Sequence, residues 1–178
     1  MNLFQTTIST GLILVLLGAF LLFFRGHSET LFKGALRSTI ATVILMGLGS
    51  AWFLLKVTHL GEADLGHYRH WLFVGFFLIA FLSFFTVPDF LSVRGLAILL
   101  LLAGDTVLDS AYMQEPKARL LLVSWVYLVI IGAMYVGALP YRMRDFLNWL
   151  YLRNWRTIGS GLILLGYGVV LIGASFAY

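Results

Sequence analysis

The stretch TIGSGLILLGYGVVLIGASFA, residues 157–177, runs for 21 residues without a charge. A helix needs about 20 apolar residues to cross the hydrocarbon core of a bilayer, so this segment reads as a membrane span. Its small residues are also ordered. Gly159, Gly166 and Gly173 lie seven apart, and Gly161, Gly168 and Ser175 form a second seven-residue series. At about 100° per residue the two series fall on nearly opposite faces of a helix. Small residues let helix backbones approach closely inside lipid. Two such faces predict close neighbours on both sides, one of which is open to a partner subunit.

Five more apolar stretches precede it, at 8–24, 38–55, 71–87, 95–111 and 120–139. Six spans of about 20 residues leave little of the 178 for anything but connections and short ends. A single transmembrane domain over 1–178 is therefore expected. Composition agrees, with 61% hydrophobic residues, 11% charged and a mean hydropathy of +0.95. Soluble domains carry about 25% charged residues, so an ordinary globular fold and a disordered chain are excluded. The net charge of only +4 is too small and too scattered for a nucleic-acid groove. The absence of cysteine excludes disulfides, thiolate metal sites and cysteine nucleophiles. Residues 1–7 offer neither the basic start nor the small-residue cleavage site of a secretory signal, so the first span is expected to stay in the mature chain.

Basic residues orient the bundle. Connections one, three and five hold Arg25, Lys33, Arg37, Arg94, Arg142, Arg144, Arg153 and Arg156, eight of the 12. Connections two and four hold Lys56, Arg69, Lys117 and Arg119. The positive-inside rule then predicts the odd connections in the cytoplasm and both termini outside, in a cytoplasmic (inner) membrane.

A repeat is also legible. Arg37/Gly47, Arg94/Gly104 and Arg156/Gly166 share a ten-residue spacing at the even spans. Upstream of each stands an acid and a Phe/Leu pair: Glu29 with Leu31 and Phe32, Asp89 with Phe90 and Leu91, Asp145 with Phe146 and Leu147. Internal repetition decides architecture, and the reading is three pseudo-repeated helical hairpins whose three glycines share one depth. Residues 142–155 are too charged to cross. Met143, Phe146, Leu147 and Leu150 follow the i, i+3, i+4, i+7 pattern of an amphipathic helix, expected to lie in the interface. The fold class is thus an all-α integral membrane protein: a six-helix bundle of three hairpins plus one short interfacial helix. Arg37, Arg94, Arg142, Arg144, Arg153 and Arg156 are read as anchors for lipid phosphates, an attraction of about 1 kcal/mol each.

Ionisable residues inside a span mark candidate sites because burying them is expensive. Asp105 falls 11 residues after Arg94, about 16 Å along a helix and near mid-bilayer. Asp109 is one turn further on the same face. Together they could hold a proton or bind a cation. The repeat places Tyr167 opposite Asp105 as a hydrogen-bond partner; the plain alternative is interhelical glue satisfied by Ser, Thr or Tyr on neighbouring spans. A second cluster, His59, Glu62, Asp64, His67 and His70, has the ligand types of a divalent metal site without an established spacing; interfacial solvation is the bland reading. No other cofactor is expected.

No nucleophile elbow, phosphate loop or other catalytic signature occurs. The first expectation is a non-catalytic scaffold, assembly factor or accessory subunit, partnered by the bilayer and by other membrane-protein subunits or itself. The alternatives are a small ion- or proton-coupled transporter or channel using Asp105 and Asp109, and a membrane redox or lipid-processing enzyme.

Overall fold

The computed structural model describes residues 2–61, 66–86, 90–115 and 117–177. Among them the chain forms eight α-helices, one short 3-10 turn at Gly66–Tyr68 and no strand. Six helices are long and apolar enough to cross a membrane: α1 (Leu3–Phe23), α3 (Thr39–Thr58), α4 (Arg69–Thr86), α5 (Leu91–Ala111), α6 (Arg119–Ala138) and α8 (Asn154–Ser175). This is a polytopic, all-helical membrane protein. Two eleven-residue helices, α2 (Arg25–Ala35) and α7 (Tyr141–Tyr151), stand in the connections between α1 and α3 and between α6 and α8.

Helix α2 falls where a simple connection was expected. Its 11 residues carry an i,i+4 ion pair, Glu29 with Lys33 at 2.8 Å, which supports a helix in the favourable acid-before-base order. Helix α7 stops at Tyr151, four residues short of the expected end. Arg153 takes an extended conformation as the N-cap of α8, and Leu152 is left exposed. The buried face of α7 is Leu147, Leu150 and Tyr151. Phe146, assigned to that face from periodicity, is instead exposed and stacks on Trp149.

The closest packing is between α1 and α8, and glycine makes it. The helices run antiparallel with Gly11 against Gly168 and Gly18 against Gly161. A Cβ at Gly18 would sit 2.7 Å from both the Gly161 carbonyl oxygen and the Leu165 nitrogen. Backbone meets backbone there, which only glycine allows. This is the Gly161/Gly168/Ser175 face of the opening stretch. The other face, Gly159, Gly166 and Gly173, has nothing within 4 Å.

Helix α5 lies between α3 and α6. Gly104 faces Val126 and Ile130, and Gly137 faces Ala97, so α5 and α6 are antiparallel. Gly95 of α5 abuts the backbone of Leu45 and Met46, while Gly49 of α3 abuts Gly95 and Ile98, so α3 and α5 are parallel. Helix α4 packs chiefly on α3, with the Phe53 and Phe76 rings 5.0 Å apart, and none of its described residues is buried. Two core clusters result, one around Leu122, Val126 and Leu171, the other around Leu36, Val93, Leu147 and Leu150 at the α2/α7 end. Phe90 opens α5 with φ 56° and ψ 24°. That left-handed conformation in a bulky residue costs roughly 1–3 kcal/mol, offset by packing of the Phe90 ring on the second cluster.

The register between α3 and α5 corrects the equal-depth expectation for the repeat. Equivalent residues of the proposed repeat differ by 57 (94 − 37). Residues that meet across the interface differ by 49, as in Met46 with Gly95 and Lys56 with Asp105. Gly104 therefore lies eight residues beyond the level of Gly47, about 12 Å at a rise of 1.5 Å per residue. Their surroundings differ too: Gly47 and Gly166 have nothing within 4 Å, whereas Gly104 is packed on α6. Asp89, the acid of the second repeat, lies outside the described residues.

Candidate functional site

The close approach of α3 and α5 at Gly49 and Gly95 fixes their register and brings Lys56 beside Asp105. The Lys56 ammonium Nζ donates to Asp105 Oδ2. Asp105 stands four residues past the midpoint of α5 at Leu101, about 6 Å off centre, and Lys56 is two residues from the end of α3 at Thr58. Both side chains are partly exposed, at 40% and 55%. The flexible stem of lysine lets its charge reach outward from the apolar span. In a low-dielectric setting each charge is expensive alone and far less so when paired. The arrangement is an interhelical charge pair, with Asp109 exposed one turn outward and without an ion-pair partner among the described residues.

Asp105 is thus held by lysine, not by the Ser, Thr or Tyr expected of it. Tyr167 is occupied elsewhere: its hydroxyl donates to the Leu121 carbonyl at 2.8 Å and lies 3.3 Å from Ser124 Oγ, while its ring tilts against Trp125. Sequence reasoning counted Lys56 as a connection charge. The repeat offset would have set it opposite Met113, so no signal in the sequence paired it with Asp105.

Of the candidate metal cluster, His59, His67 and His70 are described. Among the described residues no group of three or more His, Asp or Glu is placed to hold a metal. His59 caps α3, its Nδ1 lying 2.7 Å from the Leu55 carbonyl oxygen. His67 lies in the 3-10 turn, and His70 lines a cavity with Thr58, Arg69 and Phe73. Glu62 and Asp64 are outside the described residues.

The basic residues divide into those used by the protein and those left open. Arg156 donates from Nη1 to the Trp149 carbonyl at 3.1 Å and lies over the Trp149 and Trp155 rings, so it fastens α8 to α7. Arg144 pairs with Asp145 at 3.3 Å. Arg142 stands over the Tyr141 ring, and the phenol of Tyr141 is the chief influence raising the guanidinium above its already high ordinary pKa. Arg37 and Arg153 are exposed, Arg94 half-buried.

Arg25, counted in the sequence only as a connection charge, joins α2 to α7 together with Ser28 and Tyr151, which drew no notice there. Arg25 Nη2 donates to the Tyr151 carbonyl at 3.0 Å, the Tyr151 hydroxyl donates to Ser28 Oγ at 2.9 Å, and Ser28 Oγ donates back to the Arg25 carbonyl at 2.8 Å. Burial pushes the Tyr151 phenol above its ordinary pKa, an effect the Ser28 contact partly offsets. Thr157 Oγ1 to the Leu150 carbonyl and Ser92 Oγ to the Leu36 carbonyl complete the polar fastening of this end.

The chain matches no family model, no curated protein and no solved structure.

Proposed function

We propose that this protein is a non-catalytic component of a membrane assembly, a scaffold, assembly factor or accessory subunit, that docks another membrane helix on the open glycine face of α8. One observation carries the reading. Of two equivalent small-residue series on α8, one is filled by α1 and the other, Gly159, Gly166 and Gly173, has nothing within 4 Å. Close helix packing in lipid draws on such faces, because van der Waals contact rather than hydrophobic burial drives it. Asp105 supports the same reading, since a carboxylate already neutralised by Lys56 serves to hold α3 to α5. Gly166→Ile should leave the isolated chain folded and as stable as wild type, yet abolish co-purification of its partner from native membranes in mild detergent. Retention of the partner by that variant would overturn the docking face.

The second reading, ion or proton coupling through Asp105 and Asp109, draws on Asp109, exposed one turn beyond the charge pair and without an ion-pair partner among the described residues. It expects transport that is lost in Asp109→Asn with stability unchanged.

Eight basic residues at the α2/α7 end support an inner-membrane orientation with that end cytoplasmic and both termini outside. A cysteine in place of Thr30 labelled from outside in intact cells would overturn it. Helices α2 and α7 are proposed to lie in the interface at that end, with Trp149, Arg142 and Arg144 toward headgroups.

A further inference from the structure

A cavity of about 540 Å³ opens at the α2/α7 end, where α3 begins, α4 ends and α5 begins. We infer that it binds one anionic phospholipid, with the headgroup phosphate on Arg37 and an acyl chain against Val43 and Phe84. The volume lies within the roughly 300–1,000 Å³ typical of small-molecule sites.

The lining is amphipathic, as such a ligand requires, with Leu36, Phe90 and Leu91 apolar beside the polar groups. At the end of the bundle stand the Arg37 guanidinium and the hydroxyls of Thr39 and Thr42. Arg37 has no side-chain hydrogen bond or ion pair among the described residues, and none of the described lining residues is acidic. A planar guanidinium matches phosphate oxygens in a bidentate way. Thr42 Oγ1 spends its proton on the Ser38 carbonyl at 3.0 Å, leaving Thr39 as the hydroxyl donor. Leu91, the first residue of α5, lines the same opening and no side chain caps that helix, so its start adds to the attraction for an anion, whereas the start of α3 is already capped, Ser38 Oγ accepting from the Ala41 N–H. Beyond Thr42 the α3 and α4 wall is apolar. Val43 is four residues into the membrane from Thr39, and Phe84 is two residues in from the end of α4. A free phosphate would use the first half of this surface and leave the second bare.

The site is independent of the docking face on α8, so either can fail alone. Native mass spectrometry of the purified chain in a mild non-ionic detergent tests it with three probes: phosphatidylglycerol, phosphatidylcholine and inorganic phosphate. One phosphatidylglycerol per chain should bind tightly, and phosphatidylcholine about tenfold more weakly or worse. Arg37→Gln should weaken phosphatidylglycerol by about tenfold, while Lys117→Gln, the same charge loss at the opposite end of the bundle and outside the cavity, should change it by less than about twofold. Val43→Trp, which fills the apolar wall and keeps every charge, should also remove the tight adduct. Equal retention of the two lipids would overturn the proposal, as would parallel losses in the Arg37 and Lys117 variants. Displacement of phosphatidylglycerol by millimolar inorganic phosphate would overturn the lipid assignment and make the ligand a free phosphate.

Discussion

Gly18→Leu should lower the unfolding stability of the detergent-solubilised chain by about 3 kcal/mol, the upper part of the range for overpacked cores. A Cβ there would meet the Gly161 carbonyl oxygen and the Leu165 nitrogen at 2.7 Å. Both are backbone atoms, so no side-chain rotation can relieve the contact. The helices must separate, and the loss spreads along an interface that also includes Gly11, Gly168 and Leu171. The control is Gly166→Leu on the opposite face, where nothing lies within 4 Å and the change should stay within about 0.5 kcal/mol. Thermal or SDS-induced unfolding of the two variants measures the difference directly. Equal effects would mean that α1 and α8 do not pack through this face.

The second large effect belongs to the charge pair. Lys56→Met leaves Asp105 without its partner beside an apolar helix, and Asp105→Asn leaves Lys56 likewise. Removing both charges leaves neither. A double-mutant cycle should therefore give a coupling of about 1–2 kcal/mol, above the usual value for an exposed surface pair and below that for a fully buried one, since both side chains are partly exposed. Additivity to within about 0.5 kcal/mol would show that Lys56 and Asp105 do not interact. The same variants bear on function. As a fastener, the pair can be replaced by neutral side chains with assembly intact, whereas an ion or proton carrier would lose activity in Asp105→Asn.

The six spans were legible because a span is a property of local composition: 157–177 needs no knowledge of its neighbours to be read. Helix α2 was not, since its 11 residues mix charge with Leu31 and Phe32 and look like a connection until Ser28 is seen bound to Tyr151. The two small-residue faces of α8 were visible from spacing alone, but which of them α1 would fill was not. The Lys56–Asp105 pair was hidden for a related reason. Pairing across helices depends on register, register depends on which glycines meet, and 18 glycines do not announce that Gly95 will lie against Met46. The repeat supplied a register of its own, and the contacts give one eight residues away from it (57 − 49).

The docking face is tested most directly by a photo-crosslinking residue placed at Gly166 in native membranes, with Phe85 on α4 as the exposed control whose helix neighbours Phe81 and Leu82 are large. The account predicts a discrete protein adduct from position 166, its mass identifying either a different subunit or a second copy of this chain, and lipid adducts alone from position 85. Lipid adducts alone from position 166 would contradict it.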